Sequence, residues 1–187
     1  MKQNSAKHER TAALVPFRAS EGQTELAGTL PACSWRSAAA YYRRLEALLR
    51  RRCALLQNPA FISVQTVLCS PEETLCSIRV QAELELDGRR LPFLDDGCVW
   101  SLESGALCTL ETLLGRRCSR RRLLRELEPR REPEWMLRSC PDWESRMRKA
   151  FSPFQFCLEE GGVRFLLPPL TLGPLLESGC FLRRNGK

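Results

Sequence analysis

At 187 residues, with 43% hydrophobic and 27% charged side chains, the chain is long enough for one medium domain with a real core and too apolar for wholesale disorder. Its formal net charge of +7 is carried mainly by arginine, since lysine occurs only at Lys2, Lys7, Lys149 and Lys187. The single histidine, His8, lies near the N-terminus, which argues against a Ser–His or Cys–His nucleophile and against hydrolysis at a histidine-held metal.

In chain order, Met1 to Arg18 is basic but has no apolar h-region and no small-residue cleavage site, so it does not read as a secretory signal. No stretch approaches about 18 uninterrupted apolar residues, and the expectation is a cytoplasmic chain without a membrane span. Residues 1–30 read as an irregular N-terminal extension. Within them, Ala13-Leu14-Val15-Pro16-Phe17 suits a short edge strand and Glu21 to Thr29 a connection. From about Ser34 to Gln57 the apolar positions Ala38, Tyr42, Leu45, Leu49, Cys53 and Leu56 recur every three or four residues, which predicts an amphipathic helix. Ser34 or Ser37 is its expected cap, and Asn58-Pro59 its stop.

Phe61 to Cys69 reads as a strand. The following one has the cleanest alternation in the chain: Cys76, Ile78, Val80, Ala82, Leu84 and Leu86 point one way. Ser77, Arg79, Gln81, Glu83 and Glu85 point the other, predicting a strand with one dry and one wet face. The dry face is the natural seat of the helix. Asp87-Gly88 starts a tight turn, Leu91 to Asp96 reads as a loop or short strand, and Cys98 to Leu102 as a strand. Thr109 caps a short helix over Leu110 to Leu114, a second helix follows Ser119, and a third begins at Pro141-Asp142. Phe154 to Leu158 and Val163 to Leu167 flank an acidic, glycine-ended turn at Glu159-Glu160-Gly161-Gly162, the pattern of a β-hairpin. Phe154, Phe156 and Leu158 share one of its faces. Gly179 to Leu182 reads as a last strand.

Sites of chemistry are scarce. The ten cysteines fall at nearly even intervals with no C-x-x-C spacing, so they read as small buried hydrophobes, with neither a zinc site nor a disulfide framework expected. No phosphate-binding glycine motif is present. The carboxylate pairs Asp95-Asp96, Glu72-Glu73 and Glu159-Glu160 all fall in expected turns, where acidic residues serve solubility and turn chemistry. No catalytic residue, metal ligand or cofactor is therefore assigned. The strongest electrostatic feature is the run from Arg116 to Arg131. Within it, Arg116, Arg117, Arg120, Arg121, Arg122 and Arg125 are candidates for binding an anion or a nucleic-acid backbone, against the plainer reading of a solvated surface.

Two stretches carry a resemblance. Trp100 to Leu114 gives a strand, an acidic, glycine-ended turn at Glu103-Ser104-Gly105 and a leucine-rich short helix. Phe154-Gln155-Phe156 to Gly161, then Phe165-Leu166-Leu167-Pro168-Pro169, Gly173-Pro174 and Gly179, gives an aromatic strand, an acidic turn, an apolar strand and a proline-rich close. Over roughly residues 76–183 the chain resembles the C-terminal domain of RsiV-type anti-sigma factors, a domain-of-unknown-function family also attached to some bacterial peptidoglycan deacetylases. The resemblance implies a non-enzymatic α+β binding or sensing module, often extracytoplasmic, which in the anti-sigma factors recognises lysozyme. Leu170 and Leu175 stand where the family motif usually has tyrosines, and Asp95-Asp96-Gly97 stands where it has a glycine–histidine stretch.

The sequence thus predicts an α+β fold: an antiparallel β-sheet with one long amphipathic helix and shorter helices packed on one face, in a single domain over residues 31–183. The expected function is binding of a protein or glycan partner through Pro168, Pro169, Leu170 and Pro174, with Glu159 and Glu160 at the hairpin turn. Prolines stiffen such a surface loop and reduce the ordering entropy lost on binding. The alternative is nucleic-acid or anion binding by the arginine run.

Overall fold

The computed structural model describes residues 13–32, 36–56, 58–69, 74–114, 142–150, 152–160, 162–166, 168 and 179–183. They form a mixed α+β fold with two sheets. The larger holds β1 (Ala13–Glu21), β2 (Thr24–Ala32), β3 (Ala60–Leu68), β4 (Leu75–Leu86) and β5 (Arg89–Ser101), in that spatial order. The smaller holds β6 (Phe156–Glu159), β7 (Gly162–Leu166) and β8 (Gly179–Arg183). Helix α1 spans Arg36–Cys53, and two short helices follow, α2 (Leu110–Leu114) and α3 (Trp143–Ala150).

The irregular extension expected over residues 1–30 is, from Ala13 onward, a nine-residue strand pair turning at Gly22. Pro16 is tolerated because β1 is the edge of the sheet. The sheet is mixed rather than antiparallel: β2 and β3 run parallel, joined through α1 as a crossover, and the other neighbours are antiparallel. Their close approach requires Gly28. Its φ is +153°, and a Cβ there would lie 1.7 Å from the Val64 carbonyl oxygen.

Helix α1 buries Ala38, Tyr41, Leu45, Leu49 and Cys53, with Tyr41 rather than Tyr42 on the stripe; Tyr42 and Leu56 pack partly buried beside it. These side chains meet Leu26, Leu30, Ile62, Val64, Ile78, Val80, Ala82 and Trp100 on one sheet face, where the alternation of β4 placed its dry side. The Tyr41 and Trp100 rings meet edge-on at 5.4 Å between centroids. Ser37 is not the cap: it lies inside the helix and donates to the Gly105 carbonyl at 2.5 Å. Arginines 50, 51 and 52 complement the negative C-terminal end of the helix dipole.

Strand β5 absorbs what read as a loop. The β4–β5 register slips between Ala82 and Glu83, so Phe93 is an extra residue and Pro92 sits beside a bulge, where its missing N–H is tolerated. The Arg52 guanidinium donates to the Phe93 carbonyl that the bulge releases from the ladder. The expected short helix α2 forms. Thr109 accepts from Thr112 N–H at 3.2 Å and gives its own N–H to the Thr112 hydroxyl at 2.8 Å, a reciprocal cap.

The late hairpin also differs from expectation. Its arms belong not to the main sheet but to the second one, which packs on the face of β4 and β5 opposite α1. The polar side of β4 is therefore not simply wet: Ser77 is fully buried, and its hydroxyl accepts the Leu158 N–H at 2.8 Å. Gly97 lets the layers touch, since a Cβ there would lie 2.7 Å from both Leu166 Cδ1 and the Ile78 carbonyl oxygen. Phe156, Leu158, Val163 and Phe165 are buried, whereas Phe154, expected on the same face, is 42% exposed.

Candidate functional site

Between the two sheets lies a polar layer built by strand alternation. From the main sheet, Ser77, Arg79, Asp95 and Gly97 face inward. From the second sheet, Cys157, Glu159, Arg164 and Leu166 face them. Arg79 grips Asp95 with both arms of its guanidinium, Nε to Oδ1 at 2.9 Å and Nη2 to Oδ2 at 2.7 Å. Glu159 Oε1 accepts from Arg164 Nε and lies 4.0 Å from Arg79 Nη1. The pairing with Asp95 raises the Arg79 pKa further, so this cation stays charged at any relevant pH.

At the edge of this layer two thiols meet. The Cys69 N–H donates to the Ser77 carbonyl at 2.8 Å, and the Ser77 hydroxyl holds Leu158, the neighbour of Cys157. One serine thus holds the half-buried Cys69 and the fully buried Cys157 near each other where the two sheets meet. The neighbouring Cys157 thiol pulls the Cys69 pKa below its ordinary value, helped by the Arg79 and Arg164 charges and opposed by burial and by Glu159. In turn the Cys69 thiol, with burial, raises that of Cys157.

A second cluster lies on the helix side. Asp96 accepts from Arg44 at 3.0 Å, from Tyr41 at 3.4 Å and from the Gly97 N–H at 2.8 Å. Burial nevertheless pushes the Asp96 carboxyl above its ordinary value, and pushes the neighbouring Tyr41 and Cys98 groups up as well. Asp95 and Asp96 therefore sit in the interior of a strand and not in a turn, and they point to opposite faces, so the pair shares no cleft. The two clusters tie the layers together, by a largely buried Arg79–Asp95 pair on one side and by the exposed Arg44 reaching the buried Asp96 on the other.

The candidate partner-binding residues separate. Glu159 ends β6 with its carboxylate committed to Arg164, and Glu160 is exposed in the adjoining turn. Pro168 is half-buried just beyond the opposite end of β7, roughly 15 Å or more along the strand. Leu166 pairs with Gly179, so the β7–β8 connection, including the Pro168 segment, leaves from that far end. The Leu166 N–H donates to the Gln155 carbonyl at 3.0 Å, which brings the exposed Phe154 to the same end as Pro168. Pro169, Leu170 and Pro174, the arginines 116, 117, 120, 121, 122 and 125, the pair Glu72-Glu73 and the helix expected after Ser119 lie outside the described residues.

Sequence reasoning did not single out Phe154, Arg79 or the Cys69–Cys157 pair as functional, and it placed Asp95 in a turn. The alternation of β4 signalled that Arg79 shares a face with Ser77. No local signal joins two cysteines on different sheets. Among the described residues, no helix is long and apolar enough to cross a membrane.

No family model matches the chain, and no curated protein matches it. Among solved structures, the chain is similar to a DUF3298 family protein from Pseudomonas aeruginosa PAO1, with a TM-score of 0.46 and 12% identity over 94% of this chain and 88% of that one. It is also similar to a member of the DUF3298 family from Bacteroides fragilis NCTC 9343, with a TM-score of 0.44 and 10% identity over 94% of this chain and 90% of that one. DUF3298 is a domain-of-unknown-function family.

Proposed function

We propose that the chain is a non-enzymatic binding module that meets a protein or glycan partner at the end of the second sheet where Phe154 and Pro168 lie. The observation that carries this reading is the exposure of an aromatic ring, 42% for Phe154, in the turn that leads into β6, a strand fixed to the main sheet through Leu158 and Ser77. Aromatic anchors on a rigid support supply binding energy with little ordering cost. Pro169, Leu170 and Pro174, which come after Pro168 in the sequence and lie outside the described residues, remain part of the proposed binding segment. Glu160, at the other end of β7, joins only if the partner spans the strand. The resemblance to the RsiV C-terminal domain supports lysozyme and cell-wall glycan as the first ligands to test.

Titration calorimetry with lysozyme and with soluble peptidoglycan fragments tests the reading. Phe154→Ala should weaken binding by about tenfold or more. Pro168→Ser should weaken it by roughly two- to tenfold through the loss of loop stiffness. An effect of Glu160→Lys reports a partner that spans β7. Undiminished binding by Phe154→Ala refutes the face. If both ligands fail and an oligonucleotide binds with steep salt dependence, the arginine run is the binding element instead.

A further inference from the structure

We propose that Cys69 and Cys157 form an oxidisable dithiol, a covalent modification site that takes a hydroperoxide and closes into a disulfide between the two sheets. Three observations support it. Although 88 positions separate them in the sequence, the two residues flank one serine between the sheets, because Ser77 binds the backbone of Cys69 through its carbonyl and that of Leu158, next to Cys157, through its hydroxyl. The two are unequal in access: Cys69 is half-buried at the end of β3, and Cys157 is fully enclosed. Two guanidiniums, Arg79 and Arg164, approach the pair from opposite sheets and favour an anion at Cys69, with Glu159 between them offsetting part of that effect.

The steps balance. The Cys69 thiolate attacks one peroxide oxygen, forming an S–O bond as the O–O bond breaks; the departing oxygen takes a proton and leaves as an alcohol, or as water if the oxidant is hydrogen peroxide. Cys69 is then a sulfenic acid. The Cys157 sulfur attacks the Cys69 sulfur, the S–O bond breaks, and hydroxide leaves as water with the proton of the Cys157 thiol. The dithiol has lost two electrons and two protons, and the peroxide has gained them. Cys69 is the attacking thiol because it is accessible and beside two cations; the lowered pKa of its thiol agrees with that order. Cys157 resolves the intermediate because Ser77 holds it beside Cys69. The other described thiols differ: Cys53, Cys76, Cys98 and Cys108 are all buried, with pKa values raised first of all by burial.

The test uses the full chain, reduced and then exposed to about one equivalent of hydrogen peroxide, with tryptic peptides mapped by mass spectrometry. The expected product is a cross-linked pair of peptides lacking two hydrogens, with fragmentation placing the bond between Cys69 and Cys157. Thermal unfolding of the same sample should rise by roughly 10 °C and return on reduction, since the bond closes a long loop. In Cys157→Ser, a cyclic 1,3-dione should trap the sulfenic acid at Cys69, and no cross-link to Cys69 should appear. Oxidation of another cysteine ahead of Cys69, a link from Cys69 to a different cysteine, or an untouched dithiol overturns the proposal. The mapping of the unsubstituted chain decides this even if a variant fails to fold.

Discussion

Taking away the Arg79 guanidinium would leave Asp95 buried, at 5% exposure, without its two-armed partner. Arg79→Met should therefore cost about 3–5 kcal/mol in urea denaturation, and Arg79→Met with Asp95→Asn should recover much of it. Asp96 makes stability depend on pH. Its folded pKa lies above its unfolded one, chiefly through burial, with Arg44, the Gly97 N–H and Tyr41 favouring the charged form and Asp95 opposing it. Ionisation thus disfavours the folded state. Asp96→Asn, whose amide oxygen can still accept from Tyr41 and Gly97, should gain on the unsubstituted chain as pH rises above the unfolded carboxylate value, and the difference should vanish in acid. Stability measured across pH 3 to 8 checks the direction. These residues were only half legible beforehand. Alternation put Arg79 on the polar face of its strand, but Asp95-Asp96 between Pro92 and Gly97 carries the composition of a turn. What overrides that composition is a bulge at Phe93 and two arginines brought from distant elements.

At the level of elements, the β2–β3 pairing depends on the bare Cα of Gly28. Gly28→Ala would drive a methyl into the Val64 carbonyl from a backbone conformation that alanine resists, so a loss of about 3 kcal/mol or more is expected from denaturant melts. Gly97→Ala meets a movable Leu166 side chain but also a fixed Ile78 carbonyl, and about 1–3 kcal/mol is the expected loss. The helix at residues 36–53 and the strand at residues 75–86 were readable because each has a strong period of its own. The first two strands were not, beyond the short edge strand read at Ala13–Phe17. Their apolar positions are interrupted by Pro16, Gly22 and Gly28, and their stability comes from β3, whose pairing depends on a crossover that no local pattern announces.

Across the whole molecule, the sequence pattern supported the α+β class and the seat of α1, but it placed the late hairpin in the wrong sheet. A buried face on a hairpin shows that something covers it, and not what. Strands β4 and β5 lie in the middle layer, covered by α1 on one side and by β6 and β7 on the other. Their amides should be the slowest to exchange with deuterium, and those of the edge strand β1 should be among the faster strand amides. Uniform protection across the main sheet would contradict the three-layer account.

The neighbouring carboxylates of β5 have one more consequence. Because Asp95 is tethered on one side and Asp96 on the other, a small roll of this strand about its own axis cannot relax both tethers together. The guanidiniums of Arg44 and Arg79 never touch the same carboxylate, yet each constrains the angle at which its counterpart must bind. A double-mutant cycle with Arg44→Met and Arg79→Met should accordingly return a non-additive energy of about 0.5 kcal/mol or more, where independent sites on opposite surfaces would return almost nothing.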